Sequence, residues 1–141
     1  MKKILIVLCC LAFTLPVAAR IPAKIPSRFD VVVSFGSMAG GTSSDSFLKS
    51  FTKDFSTKHA VKITAYKAAG CGREGEFNVL FCVAKLKTSI KKKFISELNT
   101  AVLSQEKKNK AIDENSGNIT VEYNKTKSDF SYCREGIALW K

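Results

Sequence analysis

The stretch FNVLFCVA, Phe77–Ala84, sets Phe77, Val79, Phe81 and Val83 against Asn78, Leu80, Cys82 and Ala84. Alternation with period two marks a strand, and one that is apolar on both sides belongs at the centre of its sheet. Upstream, Val61, Ile63 and Ala65 alternate with Lys62, Thr64 and Tyr66, and glycines 70, 72 and 75 mark a turn. The two runs therefore read as a hairpin turning near Arg73 and Glu74.

Each side of this hairpin repeats one plan. Toward the N-terminus, Asp45 to His59 places Leu48, Phe51 and Phe55 at helical spacing, with Lys49, Lys53 and Lys58 elsewhere on the surface. Thr42 followed by Asp45 fits a capping box at its start. Phe29 to Phe35 alternates again, with Phe29, Val31, Val33 and Phe35 on one face and Asp30, Val32 and Ser34 on the other. Toward the C-terminus, Ser89 to about Lys108 carries Ile90, Phe94, Leu98, Ala101 and Val102 on one helical stripe. Ile119, Val121 and Tyr123 then alternate with Thr120, Glu122 and Asn124, a fourth strand.

Strand, helix, strand, strand, helix, strand is the order of a split βαβ, and right-handed crossovers give strand order 4-1-3-2. The fold class read here is α+β, a ferredoxin-like βαββαβ sandwich with a four-stranded antiparallel sheet and both helices on one face. Edge strands suit Lys62, Lys67 and Glu122. The tail, Asp129 to Lys141, is too apolar to hang in water and is expected to be structural. It either adds a fifth strand after a turn at Lys125 to Ser128 or covers the other sheet face. That face would carry Val32, Leu80, Cys82 and Ala84, rimmed by Thr64, Tyr66, Thr120 and Glu122. Left uncovered, it would suit a homodimer or a ligand.

The chain has 141 residues, with 23 Lys+Arg against 12 Asp+Glu and five cysteines. That size suits one domain and excludes a multidomain machine or a polytopic membrane protein. Residues 1–19 have the pattern of a signal peptide: Lys2 and Lys3, an apolar run from Ile4, Pro16, and small residues ending at Ala19. Cleavage near Ala19 implies an exported protein, periplasmic or secreted, and not membrane-spanning once processed. It lowers the net charge of +11 by two and leaves Cys71, Cys82 and Cys133. Residues 20–28, with Pro22 and Pro26, read as an extended strap, and residues 29–141 as the domain.

In an oxidising compartment two of the three cysteines should pair. In the hairpin, Cys82 lies opposite about Ala65, which places it roughly 20 Å from Cys71 at ~3.3 Å per residue. A disulfide needs Cα atoms within about 7 Å, so Cys133 is the shared partner. Cys71–Cys133 is favoured because Cys71 sits in a loop, and Cys82 is left as a free, inert thiol. Cys71-Gly-Arg-Glu-Gly echoes Cys133-Arg-Glu-Gly. Arg73, Glu74, Arg134 and Glu135 are therefore expected around the bond as crossed ion pairs.

Other chemistry is sparse. Gly36, Gly40, Gly41, Thr42 and Ser43 lie between a strand and a helix, where free amides can hold an anion. Thr42 stands where a phosphate loop needs lysine. His59 is the only histidine, so neither a metal site nor a Ser-His-Asp triad can be assembled around it. No cofactor is implied. Lys85, Lys87, Lys91, Lys92 and Lys93 form a basic patch at a helix start, the unfavourable end for cations. Export argues against nucleic acid as its partner, and an acidic protein, a polysaccharide or an anionic lipid surface fits better. The expected function is a non-catalytic binding or accessory module of the cell envelope. The alternative is a small anion-binding, hydrolase-like enzyme using the Gly36–Ser44 loop.

Overall fold

The computed structural model describes residues 24–141. The expectations for the leader, its cleavage at Ala19, Cys9, Cys10 and the first residues of the strap lie outside the described residues. The elements are β1 (Arg28–Phe35), β2 (Ser37–Met38), β3 (Gly41–Thr42), α1 (Ser46–His59), β4 (Thr64–Ala69) and β5 (Phe77–Cys82). They continue with α2 (Thr88–Ile112), β6 (Ile119–Thr126), a 3-10 turn (Lys127–Phe130) and β7 (Gly136–Leu139).

The molecule is α+β, and its main sheet is antiparallel in the order β6-β1-β5-β4-β7. The sheet has five strands rather than four, because the tail returns as β7 on the outer edge of β4. FNVLFCVA does occupy the centre. Phe77 to Phe81 are all buried, and β5 pairs with β1 on one side and β4 on the other. Cys82 lies opposite Thr64, one residue from the expected partner Ala65.

Both helices cover one face. Val31, Val33, Phe35, Val79 and Phe81 meet Leu48 and Phe55 of α1 and Phe94, Leu98 and Val102 of α2 there. Each fully buried side chain of this kind is worth about 1.5–3 kcal/mol over exposure. The rings interlock, Phe35 stacking on Phe77 at 4.4 Å and Phe94 meeting Phe55 edge-on at 5.2 Å. Trp140 closes the stack edge-on against Phe81 at 5.8 Å.

The opposite face is not open at its centre. Phe130 and Cys133 from the tail, with Ile25 from the strap, pack on Val32, Tyr66, Ala68 and Leu80. The surface expected for a homodimer is thus covered by the chain itself. Phe29 also lies on this face rather than with Val31 and Val33. The pleat is broken at Asp30–Val31, opposite Asn124, whose φ of 54° departs from strand geometry. That break turns Asp30 toward α2, where Lys91 holds its carboxylate.

The expected capping box at α1 is not formed. Asp45 makes no cap bond with its side chain. Its carboxylate instead accepts the Trp140 indole N–H at 2.9 Å and Lys67 Nζ at 3.3 Å. Thr42, the expected cap, lies in β3 with its hydroxyl on Glu74 O, and the helix starts only after Asp45. The helix closes on Ala60, a left-handed residue with φ 50° and ψ 44°.

Candidate functional site

The Gly36–Ser44 segment is a miniature hairpin, with Ser37 opposite Thr42 and Met38 opposite Gly41. Its backbone is tied to the 115–118 turn. Gly36 N–H donates to Asn118 O and Gly40 N–H to Asn115 O, both at 2.9 Å, and Gly117 N–H donates to Gly41 O at 3.0 Å. Thr42 Oγ1 donates to Glu74 O, and Ser43 Oγ donates to Gly117 O. The amides of Gly36 and Gly40, expected to be free, are therefore spent inside the fold. The loop borders a shallow cleft of about 260 Å³, lined among others by Gly40, Thr42, Ser44, Gln105, Asn109 and Ser116. A hydrogen-bond chain from Gln105 through Asn109 to Ser43 fixes its wall.

The disulfide joins Cys71 to Cys133, and Cys82 is free. Asn78, buried beside it, donates from Nδ2 to Cys71 Sγ at 3.2 Å. The echoed Arg and Glu residues do gather at this corner, but no crossed ion pairs link them among the described residues. Backbone bonds join the two segments instead: Arg134 N–H to Gly70 O at 3.0 Å and Glu135 N–H to Ala69 O at 3.1 Å. Arg134 Nη2 adds a bond to Gly72 O at 2.9 Å. With the main chains zipped, the charged ends of Arg73, Glu74 and Glu135 point to water, where a surface pair contributes little. Neither Arg73 nor Arg134 lines the cleft beside Gly40 and Gly41.

The patch at the start of α2 divides into two parts. Lys91 Nζ lies 2.6 Å from Asp30 Oδ1, while Asp30 Oδ2 accepts the N–H groups of Val83 and Ala84, both at 2.8 Å. Burial alone would raise the Asp30 pKa. The bond and charge of Lys91, with the two backbone donors, outweigh it and hold the carboxyl below its ordinary 3.8. Lys91 therefore braces the fold. Lys85, Lys87, Lys92 and Lys93 are exposed and have no acidic partner among the described residues.

No family model, curated protein or solved structure matches this chain.

One feature that the sequence did not bring out lies beside this patch. A cleft of about 340 Å³ opens at the uncovered end of the second sheet face, between the strap and the β5–α2 connection. Lys24, Arg28 and Lys85 rim it, and Thr64, Tyr66 and Cys82 line it. Lys85 and the shared face of Thr64, Tyr66, Cys82 and Ala84 follow from the sequence pattern, whereas the approach of Lys24, Pro26 and Arg28 does not. The strap residues reach the site because Ile25 anchors on the second apolar cluster. No metal-binding group of three His, Cys, Asp or Glu occurs among the described residues, and no described helix is long and apolar enough to cross a membrane.

Proposed function

We propose that this protein is an exported, non-catalytic binding module of the cell envelope that docks on an acidic partner through the basic face at the start of α2. The observation that carries the reading is the division of its lysines. Lys91 is consumed by Asp30, while Lys85, Lys87, Lys92 and Lys93 stand in solvent with no acid among the described residues to neutralise them. Cations at a helix N-terminus oppose the helix dipole, so their presence there costs stability and calls for a reason outside the fold. The Cys71–Cys133 bond fits an oxidising compartment. The strand order supports a ferredoxin-like core extended by β7.

The hydrolase-like alternative needs free donors on the Gly36–Ser44 loop. The bonds from Gly36 and Gly40 to the 115–118 turn favour a structural hairpin. The test is salt-gradient elution from immobilised heparin, comparing the unmodified protein with Lys85, Lys87, Lys92 and Lys93 changed to Gln. Loss of the four charges should move elution to clearly lower salt, because counterion release scales with the number of contacts. Retention indifferent to salt and to these substitutions would refute the reading. Lys91→Gln serves as a separate control, since its main effect should be on stability.

A further inference from the structure

The cleft rimmed by Lys24, Arg28 and Lys85 has a one-sided chemistry. Its single carboxylate, Asp30, is already engaged by Val83 N–H, Ala84 N–H and Lys91 Nζ, so its charge is answered within the fold. What remains is cationic or able to donate. Among the described residues, the three basic side chains have no acidic partner and no hydrogen bond engages the hydroxyls of Thr64 or Tyr66. Burial, aided by the nearby Asp30 charge, pushes the Cys82 thiol up in pKa. It therefore stays S–H, a weak donor and a poor nucleophile. Pro26, Ala84 and the ring of Tyr66 supply apolar wall beside these groups.

We infer that this cleft receives the anionic end of an acidic ligand, a phosphate or sulfate monoester, with its organic stem against Pro26, Ala84 and Tyr66. The donors are contributed by four separate segments, the strap, β1, β4 and the β5–α2 connection. That arrangement suits a tetrahedral oxyanion with several acceptor oxygens better than a planar group. Guanidinium and ammonium groups make the stronger, charge-assisted bonds, while the hydroxyls orient the ion. The inference rests on the reading above for the acidic character of the partner, and it adds a defined pocket to what was an electrostatic face.

The test is calorimetric titration at low ionic strength with glycerol 3-phosphate, inorganic phosphate, inorganic sulfate and glycerol. It is paired with peptide mapping of Cys82 alkylation by excess neutral iodoacetamide at alkaline pH, where enough thiolate forms for the unliganded protein to react over hours. Glycerol 3-phosphate should bind saturably, glycerol should not, and occupancy should protect Cys82. Arg28→Gln and Lys85→Gln should each weaken binding by ~10-fold, the loss of one charge-assisted contact, whereas Lys92→Gln should change it less than about 2-fold. Absence of saturable binding, an equal loss with Lys92→Gln, or an unprotected Cys82 would overturn the site. Equal affinity for inorganic phosphate would overturn the ester assignment. Heparin retention that survives Arg28→Gln but fails with Lys92→Gln and Lys93→Gln belongs to the α2 face alone. The two readings can thus fail separately.

Discussion

Removing the Cys71–Cys133 bond should cost this domain a large part of its stability. The two cysteines are 62 residues apart in sequence. In the chain-entropy model, closing a loop of that length withdraws about 4 kcal/mol of freedom from the unfolded chain. The bond also holds Cys133, only 5% exposed, and the 3-10 turn bearing Phe130 against Val32 and Leu80. Cys71→Ala, Cys133→Ala and the double variant should therefore lose similar amounts, since each removes the same cross-link. Cys133→Ala should lose slightly more for its buried contacts. In urea titrations followed by circular dichroism, a loss of ~4 kcal/mol shifts the midpoint by roughly 2–3 M for a slope of ~1.5–2 kcal/mol/M. The slope itself should rise, because the unlinked chain exposes more surface when unfolded. A double variant that loses the sum of the two single losses, or losses below ~1 kcal/mol, would refute the cross-link as the source of stability.

Ala60 holds a left-handed conformation at the end of α1, so Ala60→Gly should stabilise by about 1 kcal/mol and raise Tm by about 4 °C in calorimetry. Gly117 packs so closely that a Cβ would run into the carbonyl oxygens of Gly36 and Gly41; Gly117→Ala should destabilise by about 2 kcal/mol or more by urea titration. Asp30 and Asp45 both have native pKa values below 3.8. For Asp45, burial raises the value, but the Trp140 bond and the charges of Lys67 and Lys49 prevail. Their stabilisation is complete above the unfolded value and is lost as pH falls through the lower native values. Asp30→Asn should thus be less stable at neutral pH, and its gap to the unmodified protein should close in acid; a gap independent of pH would count against the Lys91 staple.

Much of the architecture was readable because it is written locally. Alternation at Phe77–Ala84 reports a strand with two apolar sides whatever its partners. The spacing of Phe94, Leu98 and Val102 reports a helix facing that sheet. The hairpin register disfavoured Cys71–Cys82 for the same reason, and the loop position of Cys71 favoured it over Cys82 as the partner of Cys133, the pair the structure forms. The misplacement of Phe29 had a different origin. Its face depends on the break at Asp30–Val31, opposite the left-handed Asn124 of β6, and Asp30 finds its partner Lys91 on an element 61 positions away. The capping box failed similarly: Thr42 is held in β3 with its hydroxyl on Glu74 O, and Asp45 accepts a bond from Trp140, 95 positions on.

The sequence by itself determined both helices, the strands β1, β4, β5 and β6 and their order, and it favoured the Cys71–Cys133 pairing. These follow from periodicity and chain geometry, which operate over a few residues. Only the tertiary structure decided that the tail both extends the sheet as β7 and covers its second face. Only it divided the lysine run into one structural brace and four exposed charges, or brought Lys24 and Arg28 beside Lys85. The reason is that burial and charge pairing depend on which distant groups arrive at the same place. A run of lysines carries the same letters whether or not an aspartate waits across the fold.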